Sequence, residues 1–151
     1  LKIGNKLLVK LWNAFKFIAE HANHERVEQP QHPLNQWILH QLSDAAARYH
    51  AAFGQYEYAP ALDAIERFFW ADLCDNYLEL IKDQFFNPHR YEQSVIDETR
   101  SVLTEVGFGV LMYLAPYMPY ITDDLYQRLY RAHRAHASIH AEQFSDCERS
   151  Y

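Results

Sequence analysis

Apolar residues recur at intervals of three and four through four long stretches, and this spacing constrains the chain more than any other feature. It predicts helices over residues 4–22, 34–53, 59–82 and 91–114. In the first, Ile3, Leu7, Leu11, Ala14, Phe15 and Ile18 share one face. Ile38, Leu42, Ala45 and Tyr49 form the stripe of the second. The third carries Leu62, Ile65, Phe69, Leu73, Tyr77, Leu80 and Ile81. The fourth carries Val95, Thr99, Val102, Val106, Val110 and Leu114. Only 4 of 151 residues are glycine, and no stretch alternates as a strand would. Gly107 and Gly109 interrupt the fourth stripe, where they permit close helix packing. Gly54 is placed to stop the second helix. Thr122 is placed to cap a short fifth helix over 122–131, with Asp123 and Asp124 in its first turn. A short extended segment at Ser138–His140 would be compatible with this pattern; residues 145–151 form a C-terminal tail, expected to fray beyond Cys147. The fold class is therefore all-α: an up-down bundle of four long helices and a short fifth, one domain over 1–144.

No signal peptide and no apolar run of membrane-spanning length is visible. Helical periodicity begins at once and there is no initiator Met, which suggests a fragment of a larger protein. Two cysteines, Cys74 and Cys147, without a CxxC pattern, point to a reducing, cytoplasmic compartment. The net charge of −6 excludes an indiscriminate polyanion binder, but the charge is uneven. Residues 1–20 hold four lysines against one glutamate, a net +3, which leaves −9 on the rest.

Catalytic signatures are absent: there is no G-x-S-x-G, no phosphate-binding Walker loop and no G-x-G-x-x-G. His21 and His24, and His133, His136 and His140, have helical ligand spacing, but no cysteine or clustered acid accompanies them. Exposed histidines without a metal are the plainer reading. Asp72, Asp75 and Glu79 lack the Glu-x-x-His partners of a di-iron bundle and fit a solvated face or caps to neighbouring helices. Trp12, Trp37 and Trp70 suit packing; stacking on a partner is the lesser alternative for Trp12, on the flank of the first helix. Lys6, Lys10, Asn13 and Lys16 lie opposite the apolar face of that helix. Phosphates, plain solvent or a neighbouring domain would each suit them, and phosphate contacts would orient a nucleic acid without reading its sequence.

Five blocks carry a family resemblance. Gly4-Asn5-Lys6-Leu7-Leu8-Val9-Lys10-Leu11-Trp12-Asn13-Ala14-Phe15-Lys16-Phe17 resembles the opening of the anticodon-binding domain of valyl-tRNA synthetases, with its K-L-W-N-A-x-[RK]-F pattern. Gln36-Trp37-Ile38-Leu39-His40-Gln41-Leu42 is similar to D-R-W-I-L-S-R-L, departing at Gln36 and His40. Phe68-Phe69-Trp70-Ala71-Asp72-Leu73-Cys74-Asp75-Asn76-Tyr77-Leu78-Glu79-Leu80-Ile81-Lys82 resembles F-x-W-x-D-F-C-D-x-Y-L-E-L-x-K, the most specific block. Leu114-Ala115-Pro116-Tyr117-Met118-Pro119-Tyr120-Ile121-Thr122-Asp123-Asp124-Leu125 resembles L-x-P-F-M-P-F-I-T-E-E-L of the wider class I enzymes, and Ser138-Ile139-His140 resembles the short segment on its C-terminal side in that family. The blocks span about 4–144 in the family's order.

The resemblance implies a class I anticodon-binding bundle in a larger, monomeric ligase that attaches valine to its tRNA with ATP and Mg. Those cofactors and the chemistry belong to catalytic and editing domains outside this sequence, whose HIGH and KMSKS signatures it lacks; the chain itself would be non-catalytic, without metal or cofactor. Its partner would be the valine tRNA, held by the anticodon stem-loop through splayed bases. Lys6, Lys10, Asn13 and Lys16, with Arg90, are the candidate tRNA contacts. Trp12, Trp37, Trp70, Asp72, Asp75, Tyr77, Pro119 and Thr122 are structural members of the motifs. A sister isoleucyl or leucyl enzyme, a stand-alone helical interaction module and a metal or cofactor bundle are the alternatives.

Overall fold

Helical periodicity becomes six α-helices among residues 4–144, the residues described by the computed structural model of the chain. They are α1 (Asn5–His21), α2 (Pro33–Gly54), α3 (Tyr58–Arg67), α4 (Leu78–Phe86), α5 (Gln93–Leu114) and α6 (Pro119–Leu129). Phe68–Tyr77 joins α3 to α4 without a break, so these three pieces make one long rod and the expected third helix. No strand occurs among the described residues. The fold is all-α, as the spacing predicts. Lys2, Ile3 and the tail over 145–151, Cys147 included, lie outside the described residues.

α5 is the axis. It touches α1, α2, α3, α4 and α6. From Val106 to Leu114 every side of it is buried, not the single stripe expected, while Val95 at its start is only half-buried. A helix that is apolar all round belongs in the middle of a bundle. The glycines make this possible. A Cβ on Gly107 would lie 2.6 Å from Tyr130 Oη, 3.1 Å from Ile18 Cδ1 and 3.2 Å from Phe15 Cε1. One on Gly109 would lie 3.1 Å from Leu42 Cδ2. Missing methyls thus let α1, α2 and Tyr130 approach the α5 backbone.

The join between α3 and α4 departs from the expected α-helix. Phe68–Tyr77 is a π-helix, with i→i+5 bonding and wider turns. The Leu78 N–H donates to Leu73 O, and Asn76 Nδ2 donates to Ala71 O at 2.9 Å. Buried pairs fall at Phe68/Phe69, Leu73/Cys74 and Tyr77/Leu78, five and four apart instead of three and four. The widened turns change the phase of α4. Ile81 and Gln84 point inward, while Leu80, expected in the core, is 59% exposed.

Tyr77 emerges from this segment fully buried, and its hydroxyl donates to Asn35 Oδ1 at 2.7 Å. Asn35 Nδ2 donates to Glu98 Oε2 (2.7 Å) and Thr99 Oγ1 (3.1 Å). The Glu98 carboxylate also accepts the backbone N–H groups of Gln31 (2.6 Å) and His32 (3.0 Å). One buried network therefore ties the start of α2 to α5 and to the π-helix. Burial pushes the Glu98 carboxyl up, but these donors outweigh it and hold its pKa below the usual value.

Two ends differ from expectation. Gly54 is the last residue of α2 and not a left-handed stop; that conformation falls to Tyr56, at φ 62°. The Tyr56 N–H donates to Phe53 O (3.0 Å) and that of Glu57 to Ala52 O (2.9 Å), closing the turn around it. Thr122 does not cap α6. Pro119, which has no N–H to leave unpaired, starts the helix earlier, so Thr122 is internal and donates to Met118 O at 2.8 Å. Asp123 and Asp124 consequently leave the first turn. Asp123 instead accepts Ser138 Oγ and the Ile139 N–H, both at 2.9 Å, and docks a 3₁₀ turn, Ile139–Ala141.

Candidate nucleic-acid interface

The outward face of α1 follows from its inward one. Leu7, Leu11, Ala14, Phe15 and Ile18 are buried, so Lys6, Val9, Asn13 and Lys16 point to solvent. Val9, at 60% exposure, sits among the polar groups. Lys10 leaves this face. It is half-buried, and its Nζ lies 5.3 Å from the centroid of the Trp70 ring in the π-helix. On the other flank Trp12 is 42% exposed, with the Arg128 guanidinium 5.2 Å from its ring centroid. Arg128 in turn pairs with Asp124 at 3.2 Å. Three of the four sequence candidates on α1 therefore share one surface. Arg90 lies elsewhere, in the 3₁₀ turn Pro88–Arg90, exposed and 3.8 Å from Asp83.

A second surface was not anticipated. The segment between α1 and α2 holds Pro30 and few apolar side chains, so its backbone must find partners outside itself. It finds them along one stripe of α5. Thr104 Oγ1 accepts the Asn23 N–H (2.9 Å), Ser101 Oγ accepts that of Val27 (3.2 Å) and donates to Glu25 O (2.5 Å), and Glu98 holds Gln31 and His32. Residues 98, 101, 104 and 105 are one helix face. Arg26 Nε reaches Glu105 Oε1 at 3.4 Å.

This loop forms one wall of a cleft of about 110 Å³, whose other walls are α5 and the segment after α6. The His24 and His133 rings stack at 3.7 Å between centroids and 6° between planes. Burial, and then His133, hold the His24 pKa below the usual imidazole value. The Arg134 guanidinium lies 3.7 Å from the Phe108 ring centroid and makes two bonds, 2.8 and 3.2 Å, to the buried Glu142 carboxylate. His24 and His133 thus pair with one another, and His21 stacks on Phe85 at 4.1 Å. No group of three His, Cys, Asp or Glu is arranged to hold a metal among the described residues.

The sequence profile for the anticodon-binding domain of tRNA ligase matches residues 35–151. The chain belongs to this family. It is 38% identical, over 90% of its length, to a valine–tRNA ligase of Wolbachia sp. subsp. Brugia malayi (strain TRS). It is 37% identical over 93% of its length to that of Ehrlichia ruminantium (strain Welgevonden), and 35% identical over 86% to that of Methanopyrus kandleri. These relatives are valine enzymes, as the motif blocks imply, and not the isoleucyl or leucyl sisters. The chain spans 15–17% of the length of these three proteins.

In this anticodon-binding domain most motif residues serve the fold. Trp37 and Trp70 pack half-buried against the core, and Tyr77 anchors the polar network. Asp72 is half-buried, and burial raises its carboxyl pKa. Asp75 is exposed, and none of the ion pairs among the described residues includes it. Cys74 is buried, its thiol pushed up to about 12 by the same burial, and so is held as an inert thiol. No described helix is long and apolar enough to cross a membrane.

Proposed function

We propose that the chain holds the anticodon stem-loop of a valine tRNA for a longer valine–tRNA ligase. The observation that carries this is the match to valine–tRNA ligases over about 90% of the chain, within proteins of which it spans roughly a sixth. ATP, Mg and valine are handled outside this chain, which is itself non-catalytic. The parent protein is a monomer of the cytoplasm. Valine-dependent pyrophosphate exchange by the isolated 151-residue chain would overturn the non-catalytic assignment.

The α1 surface supports a phosphate-facing role. Lys6 and Lys16 are exposed, uncommitted to the core, and flank Asn13 on one face. Each phosphate contact releases counterions, so removing one lowers the slope of log affinity against log salt by about one unit. The test replaces Lys6 and Lys16 by Ala, singly and together, in the full-length protein and follows tRNA binding across salt. A slope reduced stepwise supports the reading. An unchanged slope and affinity with an intact fold refutes it and leaves α1 as a solvated or domain-facing surface. Arg90→Ala belongs in the same series, since its 3.8 Å approach to Asp83 leaves it exposed.

A further inference from the structure

We propose that the cleft between the α1–α2 loop and the segment after α6 receives one unstacked nucleobase of the RNA loop. The inference rests on the anticodon-loop reading above and assigns a site within it.

Size comes first. The cleft measures about 110 Å³, less than the cavity of about 150 Å³ that encloses a benzene-sized ring, so it takes the edge of one flat ring and leaves the rest of that ring outside. A duplex stem or a helix from a partner does not fit such a space; the edge of a single flat ring does. The borders are flat too: the Arg134 guanidinium layered on Phe108, and the parallel, stacked His24–His133 pair. Guanidinium and aromatic planes are the surfaces on which splayed RNA bases stack.

Charge then separates a base from a phosphate. Two arginines border the cleft, but Glu142 pairs with Arg134 and Glu105 with Arg26. The Glu105 side chain is only 16% exposed, and a phosphate entering here would meet its carboxylate. An uncharged heterocycle meets no such opposition. The Arg26–Glu105 pair also sets N–H donors beside carboxylate acceptors at 3.4 Å. A nucleobase edge presents the complementary pattern, acceptors beside amino and imino donors.

Rigidity is the last element. The loop that carries His24 and Arg26 is bonded to Thr104, Ser101 and Glu98 along α5, so little of it remains to be ordered on binding.

The experiment uses the full-length protein and synthetic stem-loops of its tRNA, one native and a series with a single abasic nucleotide moved through the loop. Affinities are measured by fluorescence anisotropy for wild type, Arg26→Gln, Glu105→Gln and His24→Ala, with thermal melting to check each fold. The wild type is expected to lose on the order of tenfold at one abasic position. The variants should lose a similar factor on the native loop and nothing further at that position. Arg26→Gln, in a half-exposed loop side chain, keeps the test open if Glu105→Gln fails to fold. Variants that bind the native loop like wild type overturn the site and leave the anticodon reading standing. Losses that add to the abasic loss at every position do the same. A lowered salt slope with no position dependence replaces the base by a phosphate contact. A wild type that does not bind the stem-loop overturns both readings.

Discussion

Adding one methyl at Gly107 and one at Gly109 should have opposite outcomes. In an α-helix interior Gly→Ala gains about 1 kcal/mol of intrinsic propensity, and that gain is common to both sites. The new carbon at Gly109 meets Leu42 Cδ2 at 3.1 Å, short of ordinary contact at 3.4 Å, and the tip of a leucine can turn aside. At Gly107 it meets Tyr130 Oη at 2.6 Å, about 0.8 Å too close, with Ile18 and Phe15 behind. Tyr130 is a rigid ring, only 2% exposed, and its hydroxyl donates to Thr104 O at 2.8 Å. Moving it breaks that bond or displaces α6. Overpacking of this kind costs about 1–3 kcal/mol, and a lost buried hydrogen bond about 1 kcal/mol more. Gly107→Ala should therefore destabilise by about 1–3 kcal/mol net, and Gly109→Ala should lie within about 1 kcal/mol of wild type. Urea unfolding followed by circular dichroism measures both. The cause is isolated by Tyr130→Phe, which removes the oxygen that the methyl strikes. Gly107→Ala should cost less in that background than in wild type. Equal costs in the two backgrounds, or a Gly107→Ala protein as stable as Gly109→Ala, would refute the packing argument.

Glu98→Ala should cost roughly 3 kcal/mol, because it strands two backbone N–H groups and the Asn35 amide; a urea midpoint within error of wild type would remove the network from the stability of the fold. The depressed Glu98 pKa adds a pH dependence. Its stability is fully present above the unfolded carboxyl pKa of about 4.3 and is lost as pH falls through the lower folded value, so Glu98→Gln should flatten the acid limb of the stability profile. Leu73→Ala, at a fully buried position, should cost about 2–5 kcal/mol, and a loss below about half a kcal/mol would contradict its core placement. Lys10→Ala should cost about 0.5–1 kcal/mol of stability through Trp70 while leaving the salt slope of tRNA binding unchanged; a slope lowered as far as by Lys6→Ala would return Lys10 to the outer face.

The helices were legible because an apolar residue every three to four positions has few other solutions. Leu7, Leu11, Ala14, Phe15 and Ile18 show it directly. The π-helix was not, since it widens the spacing by single residues within a run already rich in apolar side chains, and Leu80 was misplaced for that reason. Lys10 deceived because a long stem lets a lysine on the polar face bend its charge onto a neighbouring ring. Thr122 has the chemistry of a cap, but Pro119, three residues earlier, decided where the helix began. The α1 lysines were legible as a charge asymmetry. The cleft was hidden because its halves, His24 and His133, are 109 positions apart. Its scaffold did leave a trace: a polar, proline-bearing loop in need of hydrogen-bond partners, and Glu98, Ser101 and Thr104 spaced by threes on one face of a helix.

That scaffold divides the labour of the α1–α2 loop between two sets of atoms. Its course is held by main-chain N–H and C=O groups gripped from α5, groups that every residue except proline offers alike. From that fixed main chain the side chains of His24 and Arg26 reach across to His133 and Glu105. A substitution at 24 or 26 removes its own contact and leaves the main-chain bonds to α5 in place. Changes at Ser101 or Thr104, out of sight on α5, would instead move the whole display at once.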